Sequence, residues 1–153
     1  MKWFYLGLIG LLIVYASHVT GCGQTASDST TTTTSTTSTT LAFSISSSAF
    51  SNNGNIPTIY ANTDVTGGMN TSIPLSWSSP PSGVVKYALS IIDTSASNFG
   101  HWLVVNMPSD TTSLAAGASS SGMPSGSTQI TNEFMTAGYG GPEPSHADAA
   151  HNY

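Results

Sequence analysis

Fourteen of the sixteen residues from Thr25 to Thr40 are Ser or Thr, and no hydrophobic core can be assembled from such a stretch. The tract divides the 153-residue chain into a short apolar leader and a domain that begins near Leu41. As a solvated coil it spans about 22 Å on average and at most about 53 Å. That length holds a small domain clear of a surface. The stretch beyond Leu41 has room for one core and hardly for two.

The leader has the order of an export signal. Lys2 supplies a minimal positive start, Trp3 to Ala16 is apolar apart from small Gly positions, and Val19-Thr20-Gly21 places small residues before Cys22. The apolar run is short for a stable membrane span. With Cys at the cut, the segment resembles a bacterial lipobox, which implies a diacylglyceryl group on the Cys22 thiol and Cys22 as the first mature residue. Two acyl chains anchor stably where one does not. The alternative is an ordinary signal peptide that happens to hold a free thiol. Cys22 is the chain's only cysteine and stands where lipidation requires it. The expected organisation is a lipoprotein signal peptide over 1–21, a lipidated Cys and tether over 22–40, and the domain over 41–153. The expected location is the bacterial cell envelope. Gly23 in place of Asp after the Cys implies, by resemblance to such signals, onward transport to the outer membrane or cell surface.

Charge removes several function classes. The chain has two Lys, no Arg and seven acidic residues, so the clustered cations that hold a phosphate backbone are missing and nucleic acid is excluded as a partner. The polybasic patch that binds anionic lipid is missing too. A single Cys rules out a disulfide scaffold or a multi-Cys zinc site.

The domain reads as β. Leu41, Phe43 and Ile45 alternate with Ala and Ser. Val84 to Ile92 is long, β-branched and apolar, as for a central strand buried on both faces, and His101 to Met107 is a second such strand. Leu75 to Ser78 and Thr128 to Phe134 are shorter candidates. Turn clusters separate them at Asn52–Asn55, Gly67-Gly68, Pro80–Gly83 and Gly138–Pro144. No segment carries a sustained 3.6-residue apolar period, and several short punctuated strands point to an antiparallel sandwich. Trp77, Trp102 and Phe99 are expected in its core.

The order of motifs is more specific than any one of them. Ser48-Ala49-Phe50, Ile56-Pro57-Thr58-Ile59-Tyr60, and Asn70 through Ser78 occur in sequence. Tyr87-Ala88-Leu89 then leads to Asp93, Phe99-Gly100-His101-Trp102 continues to Pro108, and Gly138-Tyr139-Gly140-Gly141-Pro142-Glu143-Pro144 precedes His151-Asn152-Tyr153. From about Ala42 to Tyr153 the chain resembles the phosphatidylethanolamine-binding protein family, in its bacterial YbhB/YbcL-type, Raf-kinase-inhibitor-like branch. The resemblance implies a Greek-key β-sandwich with a small anion-binding cavity at one end, lined by Asp93, His101, Gly140, Gly141, His151 and Tyr153. A small anion or phosphorylated headgroup is the implied ligand, with no cofactor. The chemistry of the set is coherent. His and Tyr can donate to an anion, successive Gly amides can form an anion-binding nest, and Asp93 would fix the His101 ring from behind. The branch name also implies a protein target, by analogy alone.

Three departures from the family pattern bear on the site. Asp93-Thr94-Ser95-Ala96-Ser97 replaces the usual Asp-Pro-Asp-Ala-Pro, which implies a looser loop. Asn152 stands where a basic residue is common. Family members continue past the position of Tyr153 into another strand and a C-terminal helix, so the resemblance implies that these elements are missing here. His146, Asp148 and His151 could be drawn as metal ligands, but two His and one Asp on a loop are weak evidence and no metal is expected. No nucleophile–base–orienter arrangement is legible. The leading expectation is a non-catalytic, envelope-tethered binding module. The alternatives are an envelope domain with a vestigial pocket, and an enzyme using Asp93 and His101 as an acid–base pair.

Overall fold

The computed structural model describes residues 9–15 and 42–153, with backbone alone for 9–15. Cys22 and the Ser/Thr tether lie outside the described residues. Among the described residues, seven strands, all paired antiparallel, form two sheets, and helix is reduced to single turns. In chain order they are β1 Ile9–Tyr15, β2 Ser44–Ser46, β3 Leu75–Ser78, β4 Val84–Asp93, β5 Phe99–Pro108, β6 Ser113–Leu114 and β7 Thr128–Ile130. One sheet has the order β1-β4-β5-β7 and the other β2-β3-β6. The mainly β, antiparallel architecture is the one the sequence led us to expect.

The core lies between the sheets. Period-two alternation turns Leu75 and Trp77 of β3 inward against Tyr87, Leu89 and Ile91 of β4, with Trp102, Val104 and Met107 of β5. The Trp77 and Tyr87 rings meet edge-on across the layers at 5.5 Å. Trp102 has no exposed surface, and its indole N–H donates to Gln129 Oε1 at 2.8 Å. The same oxygen accepts from the Ser119 hydroxyl on the single-turn helix Ala118–Ser121.

Four local expectations are corrected. β4 is not buried on both faces: Tyr87, Leu89, Ile91 and Asp93 are buried while their alternating neighbours are not, because only one face meets the second sheet. The expected strand 128–134 stops at Ile130, since Asn132 N donates to Thr136 O and Met135 N to Asn132 O, which closes a tight hairpin. Phe99 is half-buried and lines a cavity instead of the core. Ile9–Tyr15, expected to stand apart from the fold, pairs with β4 from Ile9↔Ile91 to Tyr15↔Val84. A ten-residue strand with an open side presents a row of unpaired N–H and C=O groups, and an apolar Ile/Leu/Val run satisfies them.

Candidate ligand-binding site

β4 and β5 are joined by a turn at one end of the sandwich, and the site is built around it. Asp93 ends β4 in phase with the buried positions and is 3% exposed. A carboxylate placed there needs partners, and it has them. Oδ1 accepts from Ser95 N–H at 2.9 Å and Oδ2 accepts from His151 Nδ1 at 2.6 Å. The Tyr153 hydroxyl also bonds to this carboxylate. Asn152 ties its own segment to the same turn, with Thr94 N–H donating to Asn152 O at 2.8 Å and Asn152 N–H to Ser95 Oγ at 3.0 Å. The expected looseness of this prolineless loop is therefore offset by hydrogen bonds. Ser97 and Asn98 complete the turn with positive φ of 54° and 62°, and Phe99 N–H donates to Ala96 O across it.

His101 owes its direction to a bulge. Ile91 pairs with Trp102 and the next residue, Ile92, pairs with Gly100, so His101 is the extra residue on β5. Bulges re-aim side chains in this way, and Gly100, His101 and Trp102 are consecutively buried. The His101 Nδ1–H donates to Gly140 O at 2.7 Å, which leaves Nε2 as the acceptor of the neutral ring. Phe99, Phe134 and Tyr153 surround that ring at centroid distances of 5.2, 5.3 and 5.1 Å. Burial pushes the His101 pKa below its ordinary value, and the Gly140 carbonyl and the Asp93 charge oppose the shift without cancelling it.

A cavity of about 270 Å³ opens over this floor. Asp93, Phe99, His101, Phe134, His151 and Tyr153 form its inner wall, and Ala96, Glu143, Pro144, Ser145 and Asp148 complete the lining. Asp148 Oδ2 lies 3.8 Å from His151 Nε2, so two carboxylates bracket the His151 ring. Burial, together with the Asp93 carboxylate, holds the Tyr153 phenol well above its ordinary pKa.

Four of the six expected lining residues meet here: Asp93, His101, His151 and Tyr153. Two roles are corrected. Asp93 orients His151 and reaches His101 only through its field. The Gly140 and Gly141 amides are not an anion nest, because Gly140 N–H donates to His101 O at 2.8 Å and Gly141 N–H to Asn70 Oδ1 at 2.7 Å. These glycines are required by close approach. A Cβ on Gly140 would overlap the Phe134 ring, and one on Gly141 would overlap backbone at Tyr60–Asn62. Gly140 serves the site through its carbonyl.

Sequence reasoning missed Phe134, Glu143, Asp148 as a wall residue, and Asn132. Glu143 sits inside the Gly138–Pro144 motif, one residue beyond Pro142, and that adjacency was the available signal. Asn132 had none. It is 4% exposed and its side-chain amide donates to His101 O and Gly138 O. That side chain holds the 131–137 hairpin, and with it Phe134, against β5.

A family model described as phosphatidylethanolamine-binding protein matches residues 46–153. The chain is 38% identical over 92 residues to the UPF0098 protein YbcL of Escherichia coli, covering 56% of this chain and 50% of that protein. A UPF0098 protein of Methanothermobacter thermautotrophicus is 37% identical over 99 residues, covering 63% of each. The chain thus spans between half and two thirds of the length of these curated relatives. Among solved structures, E. coli YbcL, described as a member of the mammalian PEBP family, superposes with a TM-score of 0.66 at 31% identity and 71% coverage of each chain. A PEBP homologue from Chlamydia trachomatis gives 0.56 at 27% identity, covering 69% of this chain and 68% of that one.

Proposed function

We propose, from the premise that this chain belongs to the phosphatidylethanolamine-binding protein family, that it is a non-catalytic module binding a small phosphorylated headgroup or similar anion. The observation that carries the reading is His101: a buried imidazole on the floor of an aromatic-walled cavity, its Nδ1 committed to Gly140 O. The remaining nitrogen and a phosphoryl oxygen share one proton between them. Neutral His101 accepts from a monoprotonated phosphoryl group, and imidazolium donates to the dianion. The volume suits a headgroup, being below the usual range of drug-sized pockets. An acid–base enzyme using Asp93 with His101 is less well supported, because the Asp93 carboxylate is already occupied by Ser95, His151 and Tyr153.

Titration of the full chain with inorganic phosphate, followed by NMR, tests the reading. His101→Ala is expected to weaken binding about tenfold to a hundredfold, the worth of one hydrogen bond to a charged group. Shifts absent at tens of millimolar, or unchanged in the variant, would leave a structural domain with a vestigial pocket. The shared proton also sets a pH dependence. A phosphate monoester loses its second proton near pH 6 and His101 is neutral earlier than an ordinary His. Affinity for a phosphate monoester should therefore fall about tenfold per unit once the pH is well above 6, and for inorganic phosphate, a weaker acid in this step, the fall should begin at higher pH.

The module is held at the bacterial envelope, on this proposal, by lipid on Cys22 with the Ser/Thr tract as spacer. Cys22→Ser should abolish incorporation of a fatty-acid analogue and release the chain from membranes. Unchanged labelling would overturn the anchor.

A further inference from the structure

β7 stops at Ile130, opposite Leu103. Beyond that point, toward the cavity, the outer side of β5 has no strand beside it among the described residues. Gly100 and His101 are buried there, so their backbone groups need other partners. The 131–137 hairpin supplies them in the register that β7 began. Three residues beyond the Leu103↔Ile130 pair, Gly100 meets Glu133. Glu133 N–H donates to Gly100 O at 3.2 Å, and Glu133 Oε2 accepts from Gly100 N–H. On either side, Asn132 Nδ2 donates to His101 O at 3.2 Å and the Phe134 ring meets Phe99 edge-on at 4.9 Å. In a regular antiparallel pair a backbone carbonyl would receive the Gly100 amide. Here a side-chain carboxylate does.

Glu133 is exposed and stands outside the cavity lining, so neither burial nor ligand contact accounts for it. Gly100 is fitted to it, because a Cβ there would overlap the Glu133 carboxylate. A carboxylate on an amide makes a bond about twice as strong as a neutral acceptor does. The amide it holds flanks the bulge that directs the His101 ring. Its charge acts at the same place. Burial lowers the His101 pKa, and the Gly140 carbonyl, the Asp93 charge and, more weakly, the Glu133 charge oppose that shift. The other titratable groups facing the ring are Glu143, Asp148, His151 and Tyr153 across the cavity.

We infer that Glu133 is a positioning residue of this cavity: by holding the Gly100 amide in place of a strand carbonyl, it fixes the bulge, the direction of the His101 ring and the charge beside that ring. The consequence for binding rests on the proposed headgroup reading, whereas the consequence for the ring does not.

NMR on the full chain with two variants separates the acceptor from the charge. Glu133→Ala removes both, and Glu133→Gln keeps an acceptor oxygen without the charge. In Glu133→Ala the Gly100 amide should exchange about tenfold faster or more, the worth of one bond to a charged group. The His101 ring signals should shift with it. Inorganic phosphate should bind about threefold to tenfold more weakly, part of the worth of the bond that His101 makes. Glu133→Gln should restore most of the protection, the ring signals and the affinity, while His101 titrates at lower pH than in the unmodified chain because a negative charge is gone. A Gly100 amide that exchanges freely in Glu133→Ala while His101 keeps its signals and titration overturns the inference. If Glu133→Ala does not fold, an unchanged His101 titration in Glu133→Gln overturns it instead. Absence of phosphate binding by the unmodified chain removes the headgroup reading and leaves the ring signals to decide the role of Glu133.

Discussion

Single polar atoms set much of the local energetics. Tyr87 and Tyr139 are both buried phenols, yet the Tyr139 hydroxyl donates to Tyr60 O at 2.9 Å, whereas Tyr87 Oη has no hydrogen-bond partner among the described residues. Tyr139→Phe should therefore cost about 1–2 kcal/mol, and Tyr87→Phe should be neutral or stabilising; urea denaturation of the two variants checks the contrast. His101 couples stability to pH. Its folded pKa is below the ordinary 6.5, so below that pH the unfolded chain takes up the proton more readily than the folded one. Stability should fall as the pH drops from about 6.5 toward the folded pKa, and His101→Gln should flatten that part of the profile. The buried phenols act at the other end. Burial raises the Tyr139 and Tyr153 pKa values, so their contribution is intact below pH 10 and lost as the pH rises beyond it.

At the scale of elements, the site depends on three short devices: the 93–99 turn, the bulge at His101 and the 131–137 hairpin. Ser97 holds a left-handed φ of 54°, and an L-residue there costs about 1–2 kcal/mol. Ser97→Gly should recover part of this and raise the thermal midpoint without moving ligand affinity. Gly140→Ala should do the reverse, because its methyl would push the Phe134 ring off the His101 floor. The expected result is a loss of both stability and phosphate binding, measured by calorimetry and NMR titration. Strands β2, β3, β4, β5 and β7 were legible from apolar runs and turn punctuation, but β6 and the devices were not. A bulge is defined by how two strands pair: His101 reads like any residue of an apolar strand until Ile91 and Ile92 are seen opposite Trp102 and Gly100. Likewise the run to Phe134 kept strand character in sequence, while Asn132 turned it back through hydrogen bonds to residues on either side.

For the whole molecule, the outer edge of β4 is the feature with the largest consequence. Residues 9–15 occupy it, and cleavage before Cys22 would remove them. Amides of β4 paired to β1 should then exchange faster in a chain that begins at Cys22 than in the full chain, whereas those paired to β5 should not; hydrogen exchange distinguishes the two rows. Equal exchange would mean that the edge is protected by something other than the leader. Composition and order alone determined that the domain is antiparallel β and which family the chain resembles. Each rests on residue type, period or motif order, which are properties of neighbours along the chain. Only the tertiary structure decided that Asp93 holds His151 instead of His101, that the Gly140 and Gly141 amides face inward, and that Glu143 and Asp148 wall the cavity. These are pairings between residues tens of positions apart. Strand register and the packing of loops select them among many partners of the same chemistry, and no local propensity encodes that choice.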